Sequence, residues 1–273
     1  MPRRAAIAKV PAKLMPMLET LFGTPHPVAL ITGAGAPRVG NAVARSLAAR
    51  SYRVAVHAHR SQAEADRTTG ELRAGGAEAM TVTGDVARPQ DVERLVAAVL
   101  ERFGRIDVLV NCAAIWIPKR LEDVTAADVM RHLEVNTLGT FLCCQKVGLV
   151  MVAQQHGGAI INVGDWAIAR PYPDYAAYFP SKGAIPTLTR VMAVELARRN
   201  PRIRVNAVLP GPVMLPEDMP EAVKEATIGA TLVQREGSPQ HVADAVIALA
   251  ENDFITGACL PVDGGRTIFP GGS

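Results

Sequence analysis

Short runs of β-branched and other apolar residues alternate along this chain with longer amphipathic stretches, and this alternation limits the fold more than any single motif. Strands separated by helices pair in parallel, with helices covering both faces of the sheet. Strands are predicted at 28–32, 53–58, 79–83, 107–111, 159–163, 204–208 and 259–262. Helices are predicted at 39–50, 64–74, 90–103, 126–155, 176–198 and 240–250. The pattern predicts an α/β fold with a single Rossmann-like, doubly wound parallel sheet of about seven strands.

The chain is predicted to contain one domain preceded by a short arm. Its 273 residues fit a single α/β domain, which commonly has roughly 250 residues. In residues 1–27, lysines and prolines interrupt the apolar stretch, which predicts an N-terminal arm rather than a signal peptide. Residues 28–273 are predicted to form a dinucleotide-binding and catalytic domain. Within it, 210–237 is rich in proline and weakly periodic, which predicts a lid over the substrate.

Composition argues against several classes of partner. The net charge is only +3 and there is no basic block, so nucleic acid is not a predicted partner. No apolar run approaches the length of about 20 residues that a membrane span needs. The four cysteines lack Cys-x-x-Cys spacing, which predicts reduced thiols and a cytoplasmic protein. His57 and His59 alternate along a strand, but further ligands are missing, so no metal site is predicted.

A glycine-rich turn follows the first predicted strand and opens a helix. The turn contains Gly33, Gly35 and Gly40. Unpaired N–H groups in the first turn of a helix, together with the helix dipole, suit a pyrophosphate. The alternative is a tight turn that serves packing alone. The strand before it and the helix after it favour a dinucleotide site.

The end of the second strand indicates which nicotinamide cofactor is bound. A carboxylate there would bind the ribose 2′-hydroxyl of NADH, whereas a 2′-phosphate favours arginine. The segment His57-Ala-His-Arg-Ser61 has no acid. Arg60, helped by Ser61 and by Arg38 of the glycine turn, is expected to bind the phosphate of NADPH. The alternative is that Arg60 is a solvated charge at a strand end.

Two polar residues end the next two strands. Asp85 follows the third strand and is expected to accept the adenine amino group, or else to cap the following helix. Asn111 ends the fourth strand and is expected to face the same cleft. Both are therefore candidates for the cofactor site.

Tyr178 and Lys182 are four residues apart, which places a phenol and an ammonium on one face of a helix. A neighbouring cation favours the phenolate, so the pKa of Tyr178 is expected to lie below its usual value of about 10. Pro180 lies between them, so the helix is expected to begin nearby, and Pro186 is expected to bend it one turn later. This pair predicts an acid/base group for hydride-transfer chemistry.

Taken together, these motifs resemble the short-chain dehydrogenase/reductase family over residues 28–265. Further matches are Leu109-Val-Asn-Cys-Ala113, Asn136, Pro210-Gly211 and Val262-Asp-Gly-Gly265. The resemblance implies that Tyr178 donates the proton, that Lys182 tunes it and holds the nicotinamide ribose, and that Asn136 positions a relay water. The implied cofactor-binding residues are Gly33, Gly35, Arg38, Val39, Gly40, His59, Arg60, Ser61, Asp85, Val86, Asn111, Lys182, Pro210 and Gly211.

The chain departs from the family pattern at three positions. Arg38 stands where the family has glycine, in a turn one residue longer than usual, so the turn is expected to bulge. Cys112 replaces an asparagine. Asp165 replaces the serine that normally lies thirteen residues before the tyrosine. An ionised carboxylate would repel a substrate carbonyl oxygen, so Asp165 favours a substrate with N–H donors or one protonated on nitrogen.

Within the family, Asp165 resembles the pteridine reductases, as do Arg38, the His59-Arg-Ser61 run and residues 218–223 and 233–235 of the lid. Trp116 stands where those enzymes stack an aromatic ring on the pterin. The alternatives are that Asp165 is only a turn residue and Trp116 only a core aromatic. The expected substrate-binding residues are Arg38, Trp116, Asp165 and Tyr178, and the expected catalytic residues are Asp165, Tyr178, Lys182 and Asn136.

The sequence thus predicts an NADPH-dependent reductase of a pterin- or folate-type nitrogen heterocycle. The alternative within the family is a general carbonyl or 3-oxoacyl reductase, in which Asp165 is passive. An alternative of another class is a non-catalytic dinucleotide-binding sensor, which the intact Tyr178 and Lys182 disfavour. The helices predicted at 126–155 and 176–198 resemble those through which the family associates, so the resemblance implies a homotetramer.

Overall fold

Residues 13–269 are described by a computed structural model of the protein. The strands are β1 (Val28–Thr32), β2 (Arg53–Ala58), β3 (Ala79–Thr83), β4 (Val108–Asn111), β5 (Gly158–Val163), β6 (Ile203–Pro210) and β7 (Cys259–Val262). They form one parallel sheet of seven strands in the order β3-β2-β1-β4-β5-β6-β7. The predicted strands and the doubly wound topology are confirmed.

Helices cover both faces of this sheet. They are α1 (Leu14–Phe22), α2 (Val39–Ala48), α3 (Gln62–Ala74), α4 (Pro89–Phe103), α5 (Ala126–His132), α6 (Gly139–Ala153), α7 (Tyr178–Ala197), α8 (Glu221–Gly229) and α9 (Pro239–Glu251). A π-helical segment, Leu133–Leu138, joins α5 to α6. The helix predicted at 126–155 is thus a composite, and α1 and α8 had no counterpart among the predicted helices.

The central strands are apolar without alternation because helices cover both of their faces. All five residues of β1 are buried. Ile31 of β1 belongs to the core on one face, whereas its neighbour Leu30 belongs to the core on the other. Parallel pairing therefore brings the carboxyl ends of β1, β2, β4 and β5 to one edge, where such folds bind ligands.

Part of the predicted arm is a helix that packs against the domain. Leu14, Leu18 and Phe22 are buried in the same core as β1. Arg105 donates a hydrogen bond to the carbonyl of Phe22 and pairs with the buried carboxylate of Asp107. The arm before residue 13 lies outside the described residues. Helix α1 thus adds apolar burial at the edge opposite the predicted site.

Contrary to the expectation that no apolar run approaches the length of a membrane span, the composite helix Ala126–Ala153 contains an 18-residue window that is apolar enough, by length and composition alone, to cross one. Half of that window is buried inside the protein, where Cys143, Cys144 and Met151 pack into the core under the sheet. A core helix of this fold has the same composition as a membrane span, so composition alone does not separate them.

Helix α7 carries Tyr178 in its first turn. Pro180 is the third residue of the helix, a position at which the missing N–H has no intrahelical partner to lose. The helix continues through Pro186 to Ala197. The expectation that α7 begins near Tyr178 is therefore confirmed, and the expected bend at Pro186 stays a prediction.

Candidate active site

The glycine turn is held by close backbone approaches that only glycine permits. Gly33 has φ +63°, and a Cβ there would lie 2.7 Å from the Cα of Ala113. A Cβ on Gly40 would lie 2.7 Å from the carbonyl oxygen of Gly33. Arg38 N–H donates to the carbonyl of Ala36 at 2.7 Å, which closes a tight turn just before α2. The expected bulge of this longer turn stays a prediction.

The same turn lies against the end of β2. A Cβ on Gly35 would lie 2.6 Å from Oγ of Ser61, so the glycine turn and the predicted phosphate-binding run are in contact. Arg38 and Arg60 are both exposed. The arginines and Ser61 are therefore placed on the two segments that meet at this corner, where a phosphate is expected.

The side chain of His57 makes hydrogen bonds with backbone groups at this corner. It is buried, Gly33 N–H donates to its Nδ1 at 3.1 Å, and its Nε2 lies 2.9 Å from the carbonyl of Gly84. Burial lowers the pKa of His57, which favours the neutral ring that these contacts need. His57 thus joins the turns after β1 and β3. Among residues 13–269 no cluster of three potential metal ligands occurs.

The side chain of Asp85 accepts a hydrogen bond within its own turn. One carboxylate oxygen accepts the N–H of Ala87 at 3.1 Å, and the other lies 4.0 Å from Nε2 of His59. Asp85 N–H in turn donates to the carboxylate of Asp91 at 2.8 Å. The contact with Ala87 lies within the turn before α4, whose N-cap residue Arg88 has no side-chain cap hydrogen bond. The alternative that Asp85 caps the following helix is therefore wrong, and its contact with adenine stays a prediction.

Asn111 does not face the cleft in the way predicted. Its Nδ2 donates to Oδ1 of Asn162 on β5 at 2.9 Å and to the sulfur of Cys144 on α6. Its Oδ1 is buried without a hydrogen-bond partner among the described residues. Asn162 continues the network to Thr189 of α7. The main role of Asn111 here is to join β4, β5 and α6.

Asn136 is fully buried in the π-helical segment and holds the loop after β4. It accepts the N–H of Ile115 at 2.8 Å and donates to the carbonyl of Ile115 at 3.0 Å. It also donates to Oγ of Ser181 at 2.9 Å. π-Helical turns are frequent at functional sites. Asn136 therefore positions both Trp116, through its neighbour Ile115, and α7, whereas the relay water stays a prediction.

The side chains of Asp165 and Tyr178 are in contact, as a shared catalytic site requires. The phenol of Tyr178 donates to Oδ2 of Asp165 at 2.7 Å, and Ala167 N–H donates to Oδ1 at 2.8 Å. Burial raises the pKa of Asp165, against these hydrogen bonds and the charge of Lys182. The hydrogen bond from Ala167 is what the alternative of a simple turn residue predicts for Asp165. The hydrogen bond from Tyr178 is not explained by that alternative.

The expected lowering of the pKa of Tyr178 is wrong for this arrangement. Burial, followed by the adjacent carboxylate of Asp165, raises its pKa far above the usual value. Lys182 is buried, and its ammonium donates to the carbonyl of Val163 at 2.7 Å. Sequence spacing placed the cation near the phenol but did not include the carboxylate that intervenes. Tyr178 is thus held as a protonated donor.

An aromatic wall that sequence reasoning missed adjoins this pair. Trp116 stacks on Tyr175, with ring centres 4.8 Å apart and planes at 10°. Tyr172 meets Tyr175 and Phe179 edge to face. Burial raises the pKa of Tyr172 to about 12. Trp116 is 43% exposed, so the alternative of a core aromatic is wrong. The tyrosines of Arg170-Pro-Tyr-Pro-Asp-Tyr175 were the available signal.

The predicted lid begins at a close approach between β6 and β7. Gly211 N–H donates to the carbonyl of Val262 at 3.0 Å, and a Cβ on Gly211 would lie 2.5 Å from the Cα of Asp263. Pro210 ends β6 immediately before it. Helix α8 lies within the segment 210–237. The segment therefore has its own secondary structure, and its action as a lid stays a prediction.

The residues present fit a dinucleotide. The first turn of α2 offers N–H groups, and the ammonium of Lys182 has one hydrogen bond among the described residues. Its two remaining N–H donors suit ribose hydroxyls. These features lie along one edge of the sheet, from the glycine turn to α7.

Comparisons with known proteins agree with this fold. A family model described as enoyl-(acyl carrier protein) reductase matches residues 34–267. A 3-oxoacyl-[acyl-carrier-protein] reductase of Synechocystis is 36% identical over 246 residues, covering 89% of this chain and 97% of the relative. A short-chain dehydrogenase/reductase of Armillaria gallica is 36% identical over 250 residues, covering 87% and 95%.

A solved structure from Agrobacterium tumefaciens, whose description names a gluconate dehydrogenase, superposes with a TM-score of 0.82. It is 29% identical and covers 91% of this chain and 97% of that chain. None of these three proteins is named a pteridine reductase.

Proposed function

The chain belongs to the short-chain dehydrogenase/reductase family, and on that premise we propose that it is an NADPH-dependent reductase of a pterin- or folate-type nitrogen heterocycle. The observation that carries the proposal is the hydrogen bond of 2.7 Å from Tyr178 to Asp165. It joins the proton donor of the family to a carboxyl group where the family has a hydroxyl.

Asp165 determines which substrate atoms the site can accept. A carboxylate in a partly buried cleft repels a carbonyl oxygen but accepts hydrogen bonds from ring N–H or amino groups. Its raised pKa also increases the fraction of the acid form, which can donate to a ring nitrogen. Amidine-like edges of pterins and folates present both kinds of group.

Tyr178 and Lys182 supply the remaining protein chemistry. Bound NADPH would supply the hydride. Tyr178 Oη holds the proton and delivers it directly or through Asp165, whose Oδ2 already accepts from it. Lys182 adds positive charge beside Asp165 and offers N–H donors to the ribose. In this scheme the phenol of Tyr178 is a positioned general acid.

The choice of NADPH is supported by charge at the end of β2. Arg60 and Ser61 follow that strand, and Gly35 brings the turn that carries Arg38 against Ser61. Guanidinium groups make short, charge-assisted bonds to phosphate. Two arginines near the end of β2, with no carboxylate on β2 itself, therefore favour the 2′-phosphate of NADPH over the free 2′-hydroxyl of NADH.

The proposal is tested by following NADPH oxidation with dihydrobiopterin, dihydrofolate and a panel of ketones and 3-oxoacyl esters. We expect turnover with the pterins, and a much lower kcat/KM with NADH. Turnover of ketones alone would contradict the substrate assignment. Tight NADPH binding without turnover of any substrate would instead favour the sensor alternative.

A carbonyl or 3-oxoacyl reductase is the second candidate, and the comparisons support it better than they support a pteridine reductase. The relative from Synechocystis is named a 3-oxoacyl-[acyl-carrier-protein] reductase, and so is a human relative, 35% identical over 235 residues. In this candidate Asp165 is passive, because its carboxylate form cannot donate a hydrogen bond to a carbonyl oxygen.

Asp165→Ser separates the two candidates, because it restores the hydroxyl of the family. For a pterin reductase we expect kcat/KM for dihydrobiopterin to fall roughly tenfold to hundredfold, since a hydrogen bond to a charged group contributes about 1.5–3 kcal/mol. For a carbonyl reductase the activity on ketones should hold or rise. Asp174→Asn, a change of an exposed carboxylate on the adjoining loop, is the matched control.

We also propose that the protein forms a homotetramer and that it is cytoplasmic. Leu149 on α6 and Val191 and Val194 on α7 are each at least half exposed, so these helices present apolar surface for association. All four cysteines are free thiols, which is typical of a reducing compartment. Sedimentation of the purified chain tests the oligomeric state.

A further inference from the structure

A small cavity lies beside the Asp165–Tyr178 pair, on the side of the C-terminal turn. Its volume is about 180 Å3, and its lining includes Trp166, Arg170, Tyr172, Ala230, Arg266 and Phe269. Trp166 directly follows Asp165, and the charge of Asp165 affects the pKa of Tyr172. The cavity therefore borders the proposed substrate site through both of these aromatic residues.

Arg266 is held in this cavity by neutral groups. Its guanidinium lies over the Trp166 ring, 4.7 Å from the ring centre, and donates to the carbonyl of Thr227 at 2.6 Å. In the chain from residue 13 to residue 269, no carboxylate oxygen lies within 4.0 Å of it. The nearby carboxyl of Asp263 accepts the N–H groups of Gly265 and Thr267 at 2.9 and 2.7 Å.

Arg170 brings a second guanidinium to the same place. It donates to the carbonyl of Arg266 at 3.1 Å and to that of Phe269, so it holds the C-terminal turn against the segment after β5. Burial and then the charge of Arg170 lower the pKa of Arg266. Burial of the Arg266 guanidinium thus costs free energy that an anion bound to it would offset.

We propose that this cavity is an anion subsite, in which Arg266 binds a carboxylate on the tail of the substrate. The proposal rests on the proposed function, because the subsite adjoins the group that would face the reacting ring. A guanidinium matches a carboxylate with two parallel hydrogen bonds. The guanidinium of Arg266 lies over the ring of Trp166, which restricts its position on that side. The subsite would favour substrates with an acidic tail over neutral ones.

Trp166 allows the subsite to be tested without turnover. The chain has two tryptophans, so Trp116→Phe leaves Trp166 as the single emitter, under Arg266. Glutarate is titrated into this protein, with neutral glutaramide and inorganic phosphate in parallel. We expect a saturable change in emission with glutarate and none with glutaramide. Arg266→Gln should abolish the change, whereas Arg102→Gln, at an arginine 59% exposed on α4, should retain it.

Steady-state kinetics provide the second arm. For Arg266→Gln we expect the KM for dihydrofolate, which carries a carboxylate tail, to rise roughly tenfold to hundredfold, with the KM for dihydrobiopterin unchanged. Acetoacetate and ethyl acetoacetate form the corresponding pair if the enzyme reduces ketones. Arg266→Lys keeps the charge without the fork and should give a smaller rise, which separates loss of charge from misfolding.

The two arms separate failure of the subsite from failure of the proposed function. Turnover of dihydrofolate and dihydrobiopterin with equal losses in Arg266→Gln overturns the subsite and leaves the function intact. Arginine-dependent binding of glutarate without turnover of any substrate overturns the function and leaves the subsite. Tighter binding of inorganic phosphate, with an unchanged KM for dihydrofolate, would overturn the substrate tail as the occupant.

Discussion

The two halves of the cleft are built in different ways. The nucleotide half, at the ends of β1, β2 and β3, is defined by backbone: Gly33, Gly35 and Gly40 approach other residues so closely that a Cβ would collide. The catalytic half, at the ends of β4 and β5 and the start of α7, is defined by side chains. There Tyr178 and Asp165 share a hydrogen bond beside the aromatic wall.

This difference separates what is common to a family from what is particular to one chain. A backbone-defined site accepts few residue types, because φ and close approach exclude most of them. A side-chain-defined site changes its chemistry with one substitution, as a carboxyl for a hydroxyl at position 165 illustrates. We therefore expect substitutions in the nucleotide half to impair folding and cofactor binding, and those in the catalytic half to change rate or substrate.

Tyr178→Phe should have the largest effect. It removes the proton donor while keeping the ring, so kcat should fall by roughly 10²- to 10⁴-fold, the usual contribution of general acid catalysis, with little change in the affinity for NADPH. Steady-state kinetics and NADPH fluorescence measure the two quantities. Tyr52→Phe, at a tyrosine 1% exposed in the core at the opposite edge of the sheet, is the control. Equal losses in both variants would contradict a catalytic role.

Gly33→Ala should show that the nucleotide half depends on backbone. The φ of +63° and the contact with Ala113 predict a loss of about 2–4 kcal/mol in the free energy of unfolding, measured by urea denaturation. Gly70→Ala in α3, where a Cβ meets nothing within 4 Å, should instead stabilise by about 0.5–1 kcal/mol. Similar values for the two variants would refute the comparison.

Arg60→Gln tests a side chain in the nucleotide half. If Arg60 binds the 2′-phosphate, the KM for NADPH should rise roughly tenfold to hundredfold, since a charge-assisted bond contributes about 1.5–3 kcal/mol. The KM for NADH should stay the same, because NADH lacks that phosphate. A parallel rise for both cofactors would mean that Arg60 acts only through the fold.

The pH profile of the catalytic half should follow Asp165. Because burial raises its pKa, its acid form persists to higher pH than for an exposed aspartate and is lost as the pH rises through that pKa. If the acid form delivers the proton, kcat/KM for dihydrobiopterin should fall across that range. In Asp165→Asn the fall should disappear and the overall rate should be lower. A fall that persists in Asp165→Asn would assign it to another group.

Tyr175→Leu should have the smallest effect. It removes the stacking on Trp116, an interaction that contributes about 0.5–1.5 kcal/mol, so the KM for a flat substrate should rise roughly twofold to tenfold with kcat nearly unchanged. Tyr175→Phe keeps the ring and should behave like the wild type. A fall in kcat without a change in KM would show that the wall acts on the chemistry instead.

The sequence by itself determined the strands, their parallel pairing and the glycine turn. Periodicity and burial on both faces require the apolar runs of β1 and β4, and positive φ requires Gly33. The sequence also identified Asp165 and Tyr178 as a candidate pair, although Asp165 was identified only through a family resemblance.

Only the tertiary structure decided what these side chains do to one another. The pKa of Tyr178 rises because of burial and then the adjacent carboxylate of Asp165, and spacing along one helix carries no information about groups on other elements. Trp116 meets Tyr175, and Arg266 meets Trp166, across long separations in the chain. Local pattern determines the backbone, whereas electrostatics and stacking depend on distances that exist only after the chain has folded.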